Sequence, residues 1–194
     1  MEFAHLPEHV RKVLTETGAF QEGHFKLSSG LHSRGYLQCA LILQHPATAA
    51  MIAEDLALRF RDKKPDVVLS PALGGIILGH ELARALGCRG IFAERKDGEM
   101  LLRRGFYLKP GEKVLLAEDV VTTGGSVQEL RRIVDEKQAV VVGYTAVCDR
   151  SSGRFAPIEK LDPWITLSIE TFEQDKCPLC AEGVPMDKPG SRWQ

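Results

Sequence analysis

From Asp66 onward the sequence alternates short apolar runs with helical periods. This pattern predicts an α/β fold, a central mostly parallel sheet flanked by helices, with a small N-terminal hood in front of it. Two further observations support that class. Val114–Ala117 is a short continuous apolar run, which suits a strand buried on both faces of a parallel sheet. The run then gives way to two acids and a Gly-Gly turn that opens a helix. Open sheets of this kind take their ligands outside the carboxyl ends of their strands.

The elements follow in order. Glu8 to Thr17 has helical spacing through Val10, Val13 and Leu14 and stops at Gly18. Gly23–Gly30 and Ser33–Gln38 read as two strands joined by the turn Ser28–His32, and this ribbon is the hood. Pro46–Arg61 is an amphipathic helix whose apolar face is Ala50, Ile52, Ala53, Leu56 and Phe60. In the alternating part, Val67–Leu69, Gly90–Ala93, Val114–Ala117 and Ala139–Val147 are strands, and Gly75–Leu86 and Val127–Glu136 are helices. Trp164–Ser168 reads as a last, edge strand. The polar stretch 94–111, long for a connection and rich in cations, is a candidate lid. One domain is expected over 1–194, with a hood from about 1–40, a core about 46–170 and a proline-bearing tail 173–194.

Composition excludes several classes of partner. With 194 residues and a formal net charge of -1, nothing in the charge favours nucleic acid or an anionic membrane surface. No apolar run approaches the ~20 residues of a membrane helix, and the first residues lack a signal peptide's pattern, so a soluble, cytoplasmic protein is expected. There are five cysteines. Cys39 and Cys148 lie in apolar surroundings and read as buried thiols. Cys177-Pro-Leu-Cys180 has half the spacing of a zinc ribbon, but no second CxxC or paired His follows it. A metal there would need ligands from another subunit, and a structural tail is the expectation. His5 and His9, four apart, are expected to be solvated.

Chemistry concentrates in Glu118-Asp119-Val120-Val121-Thr122-Thr123-Gly124-Gly125-Ser126. A glycine-rich turn feeding a helix presents backbone N–H groups and a positive dipole end to an anion. The acids upstream can accept hydrogen bonds from sugar hydroxyls or sit near a divalent cation. One loop would grip a phosphate with one end and a ribose with the other. It lacks the Gly-Lys-Ser/Thr of a P-loop and the G-x-G-x-x-G of a dinucleotide fold.

The full pattern resembles the phosphoribosyl-pyrophosphate (PRPP) motif of the type I phosphoribosyltransferase family, and the chain is expected to share that family's fold. The resemblance implies that Glu118 and Asp119 meet the ribose hydroxyls and that the small residues through Ser126 wrap the 5-phosphate. Three further segments are similar to bacterial orotate phosphoribosyltransferases: Phe25–Gln38, Ser70–Gly75 and Val147-Cys-Asp-Arg150. Orotate is a planar ring with a carboxylate, so its pocket wants a forked guanidinium and a flat or apolar wall. Arg150 can supply the fork, Tyr36 and Leu37 the wall, and Thr122 would contact the base from the other side. Arg95 and Lys96 match the family's pair at the base of the lid and are assigned to the charge growing on the leaving pyrophosphate. Mg²⁺ is implied by the substrate, with protein carboxylates touching it only through water, so no residue is assigned as a metal ligand. A homodimer is implied by the resemblance alone.

The chain also departs from that family. Ser28 stands where the family places a Lys in the hood, with Lys26 on the same strand face. Gly74 replaces a Lys of the pyrophosphate loop. Asp97-Gly-Glu99 occupies the place of the distal lid Lys and His, for which Arg103 and Arg104 are possible substitutes. Two alternatives stay open: a phosphoribosyltransferase for a purine or another base, and a PRPP-binding regulator without turnover. The first would lack a carboxylate-reading Arg, and the second would need a nucleic-acid surface that is not evident here.

Overall fold

Continuous apolar runs become strands β3 (Val67–Pro71) and β6 (Lys113–Val121), each covered on both faces; every residue of β3 is buried. With β4 (Arg89–Lys96), β5 (Glu99–Leu102), β7 (Val140–Asp149) and β8 (Ile165–Thr166) they build a six-stranded sheet in the order β5-β4-β3-β6-β7-β8. Every neighbouring pair is parallel except β4–β5. Helices α3 (Pro46–Phe60), α4 (Gly75–Leu86) and α5 (Gly125–Glu136) provide the crossovers and covers. Val67, Leu69, Val114 and Leu116 share one core cluster with Val127, Leu130 and Val134 of α5. Parallel pairing puts the carboxyl ends of β3, β4, β6 and β7 along a single edge.

The structure is a computed structural model that describes residues 6–27 and 29–189. The sheet above belongs to one compact unit, residues 43–167, while the described residues before 43 and after 167 form a second. In that second unit α1 (Glu8–Glu16) is followed by β1 (Phe20–Lys26) and β2 (His32–Leu37), an antiparallel pair, and then by α2 (Cys39–Leu43), which runs up to the boundary. The tail adds β9 (Thr171–Phe172), α6 (Pro178–Ala181) and β10 (Met186–Asp187). β10 pairs parallel with β1 and β9 antiparallel with β2, which gives the sheet order β10-β1-β2-β9. Hood and tail, separate segments in the sequence, therefore share one sheet. Ser28 and His5 lie outside the described residues.

Two expectations change. The stretch after β4 is not one long polar loop. β4 turns through Asp97 and Gly98, both at positive φ (52° and 89°), and returns as β5 with Lys96 opposite Glu99. Two left-handed residues in sequence are what a tight hairpin turn demands. Met100 is buried in the core cluster and Leu102 and Phe106 pack against it, so the hairpin is docked on apolar surface. The strand carrying the two acids is also longer than its apolar run: β6 continues through Glu118–Val121 and stays paired with β7 as far as Val121 opposite Asp149.

Candidate active site

The candidate site residues of the larger unit come from four strand ends. Glu118, Asp119, Val120 and Val121 close β6, and Thr122–Gly124 link it to α5, whose first residues are Gly125 and Ser126. Arg150 follows β7 directly, and its backbone N–H donates to the Val121 carbonyl at 2.8 Å. Arg95 and Lys96 close β4. Ser70 and Pro71 close β3, and Ala72–Gly74 lead into α4; the Ala72–Leu73 peptide is cis. All lie at the carboxyl edge, as the topology requires.

The two acids differ in environment. Glu118 is buried, with 7% of its surface exposed, and its Oε1 accepts the Asp119 backbone N–H at 3.0 Å. Burial, with the Asp119 charge beside it, holds the Glu118 carboxyl well above the usual carboxylate range. Asp119 is half-buried and its Oδ1 accepts the Val120 N–H at 2.8 Å. Its carboxylate also lies against Gly74, where an added Cβ would come within 2.5 Å of Oδ2. The absence of a side chain at Gly74 is thus matched to the resting position of Asp119.

The loop has a fixed shape. Gly124 sits at φ +79°, and a Cβ there would meet the Phe155 ring at 2.2 Å, so a left-handed backbone and a close aromatic neighbour both select glycine. Thr122 and Thr123 are exposed, and among the described residues no hydrogen bond engages the hydroxyl of either. The loop hydroxyls and the first N–H groups of α5 are therefore available to an anion. After β7, Asp149 Oδ1 accepts the Ser151 N–H at 2.7 Å, and the Arg154 guanidinium donates to the Ser151 carbonyl, which pins the segment that carries Arg150. An open cavity of about 460 Å³ lined by Arg131, Arg154, Phe155 and neighbouring residues lies behind this loop, on the side of Phe155.

Three of the four cations in and just after the hairpin are engaged within the chain. Arg95 donates to Glu129 of α5 at 2.6 Å and to the Gly98 carbonyl at 2.7 Å. Arg103 and Arg104 both pair with Glu94, at 3.2 and 3.0 Å. Lys96 is exposed and has no ion-pair partner among the described residues.

In the hood unit, Tyr36 and Leu37 are consecutive on β2 and so face opposite sides of the strand. Leu37 is buried, whereas Tyr36 is half-buried and its ring lies 5.7 Å from that of Phe25. Strand alternation lets only one of them face a ligand, and Tyr36 is the more accessible.

A phosphoribosyl transferase domain model matches residues 40–175. The chain belongs to that family. It is 55% identical over 181 residues to the orotate phosphoribosyltransferase of Caldicellulosiruptor bescii, covering 93% of this chain and 95% of the relative. Among solved structures, the orotate phosphoribosyltransferase of Aeropyrum pernix aligns with a TM-score of 0.68 at 25% identity, over 81% of this chain and 93% of that one. An adenine phosphoribosyltransferase from Rhodothermus marinus aligns with a TM-score of 0.62 at 21% identity, over 81% of this chain and 99% of that one. That match shows the fold alone, and the choice of base rests on side chains at the sheet edge. Among the described residues no helix is long and apolar enough to cross a membrane.

Proposed function

We propose that this pentosyltransferase is an orotate phosphoribosyltransferase, which moves the phosphoribosyl group of PRPP onto orotate to give orotidine 5'-monophosphate and pyrophosphate. The observation that carries the reading is the pairing of β6 with β7. It ties the Thr122–Ser126 loop, whose free N–H groups suit a phosphate, to the segment of Arg150, whose planar guanidinium suits a carboxylate, and this supports the reading. The high identity to relatives bearing that name supports it further.

In this reading the 5-phosphate takes the N–H groups and hydroxyls of Thr122–Ser126, and Asp119 accepts hydrogen bonds from the ribose. Arg150 grips the orotate carboxylate while Thr122 approaches the base. The ring nitrogen then attacks the anomeric carbon and gives up its proton to the departing pyrophosphate, as the bond to the pyrophosphate oxygen breaks and its electron pair leaves with that group. Alignment and cations aimed at the leaving group do the catalytic work. Arg95 and Lys96 are assigned there, and Arg95 must exchange Glu129 for the substrate to serve.

The donor set at the end of β6 suits Mg²⁺ through one of its two acids. Asp119 offers a hard oxygen of the kind Mg²⁺ takes, directly or through water, whereas burial holds the Glu118 carboxyl well above the usual carboxylate range and makes it the weaker donor. Asp119 would hold the ion together with substrate oxygens, and when bound the ion neutralises pyrophosphate charge. The proposal includes a homodimer in the cytoplasm. Sedimentation of the purified chain tests the dimer.

PRPP-dependent consumption of orotate, adenine, hypoxanthine, xanthine and uracil tests the function. Turnover of orotate alone is expected. Turnover of a purine without orotate would refute the assignment, and PRPP binding without any product would favour a regulator.

A further inference from the structure

The hood unit brings four ligand-bearing side chains to one point, away from the loop just described in sequence. His24 on β1, His32 on β2, Cys177 just before α6 and Cys180 within it each offer one atom, and these atoms all lie within 4.8 Å of one another. His24 Nε2 is 2.9 Å from His32 Nδ1. Cys177 Sγ and Cys180 Sγ are each 3.7 Å from His24 Nε2, and Cys180 Sγ is 3.3 Å from His32 Nδ1. A tetrahedral Zn²⁺ with ordinary Zn–N and Zn–S lengths needs ligand atoms roughly 3.3–3.8 Å apart. These three sulfur–nitrogen separations fall in that range, and the nitrogen pair is a few tenths of an ångström short of it.

We propose that His24 Nε2, His32 Nδ1 and the thiolates of Cys177 and Cys180 form a closed structural Zn²⁺ site that fastens the hood strands to the C-terminal segment. The expectation that a metal at the CxxC needs another subunit fails because the two histidines precede the cysteines in the chain and return to them through the shared sheet. Two sulfurs and two imidazoles in a tetrahedral arrangement suit zinc, and four protein ligands leave no open position for catalysis.

Local structure supports the assignment. Register shifts between Glu22 and Phe25, so Gly23 and His24 form a bulge in β1, and a bulge re-aims a side chain. His24 and Phe25 are accordingly both buried, where simple alternation would bury only one. His24 Nδ1 lies 2.8 Å from the Val184 carbonyl. An N–H donated there leaves the Nε2 lone pair facing the cluster, the usual outer support of a zinc-bound histidine. A unit this small has little core, and a metal clip is a common remedy.

The test is metal analysis and zinc-edge X-ray absorption on the full chain, purified under reducing conditions and incubated with Zn²⁺. One zinc per chain in a shell of two sulfurs and two nitrogens is expected, with release when a mercurial titrates the thiols. The double variant Cys177→Ser, Cys180→Ser should lose the zinc and unfold at lower temperature. If that variant does not fold, the absorption spectrum of the unaltered chain decides. Protein that takes up no zinc, zinc bound through nitrogen and oxygen only, or a Cys177–Cys180 disulfide under reducing conditions would overturn the proposal, as would full zinc retention by the double variant.

Discussion

The Arg150 backbone N–H donates to the carbonyl of Val121 at 2.8 Å, which ties the first residue after β7 to the last residue of β6. The segment proposed to read the base is thereby fixed to the segment proposed to hold the sugar phosphate. Arg150→Ala keeps that backbone bond and removes only the guanidinium. Loss of a charged hydrogen-bonding partner costs about 1.5–3 kcal/mol, so KM for orotate should rise by one to two orders of magnitude while KM for PRPP changes little. Arg150→Lys should not restore orotate binding, because an ammonium lacks the fork. Equal effects on both substrates would make Arg150 structural.

Asp119→Asn removes a charged acceptor from the proposed ribose contact. The loss in kcat/KM for PRPP should correspond to about 1.5–3 kcal/mol, with thermal stability nearly unchanged because Asp119 is only half-buried. Steady-state kinetics with PRPP varied at saturating orotate provides the measurement.

Glu118 links stability to pH. Its folded-state pKa is raised by burial first and by Asp119 second, so the folded chain holds this proton more tightly than the unfolded chain does. Its contribution to stability is fully present below the ordinary carboxyl pKa. It declines as pH climbs above that value and is lost once pH passes the folded-state pKa, with a slope of at most about 1.4 kcal/mol per pH unit. Glu118→Gln, neutral throughout, should flatten that decline. Denaturant midpoints from pH 4 to 9, roughly spanning the window in which a raised carboxyl titrates, will show whether the two curves diverge.

Gly124→Ala should damage both loop and fold. The residue is left-handed and faces the Phe155 ring. A left-handed non-glycine residue costs about 1–2 kcal/mol, and the ring must also move. Pairing it with Phe155→Leu should relieve the clash and leave the backbone cost, which a double-mutant cycle on unfolding free energy can separate.

Arg95 rests on Glu129 through a partly exposed ion pair, with side chains 40% and 29% accessible. Such pairs contribute about 0–1 kcal/mol. Glu129→Gln should therefore leave the melting temperature almost unchanged and free the guanidinium, whereas Arg95→Ala should lower kcat. Falls of equal size in stability for both variants would argue that Arg95 serves the fold.

Much of the larger unit was readable in advance because periodicity and burial coincide there. Val114–Ala117 looks like a two-sided strand and is one, and the predicted helix Gly75–Leu86 matches α4 at both ends. The extension of β6 to Val121 was hidden because Glu118 and Asp119 read as polar loop, and only pairing with β7 makes them strand. The β4–β5 hairpin did carry a local signal, the Asp97-Gly98 dipeptide, which the density of charge around it obscured.

Among the candidate site residues, the Glu118–Ser126 loop and Arg150 stand out in the sequence because each follows the end of an apolar strand. The Tyr36–Leu37 wall was overstated, since alternation buries Leu37. The His24, His32, Cys177 and Cys180 cluster was unreadable for another reason. Its halves lie at opposite ends of the chain, and nothing local in either half announces the β1–β10 pairing that joins them.

That pairing also sets an order of assembly. A nascent chain emerges from the ribosome with β1 and β2 first, yet the strands that flank them, β9 and β10, are made last. The N-terminal hairpin must wait, its outer edges uncovered, while the intervening sheet is synthesised. A chain truncated before Thr171 would leave both edges bare and open to pairing with other chains, so the hairpin's protection from aggregation begins only once β9 and β10 have been made.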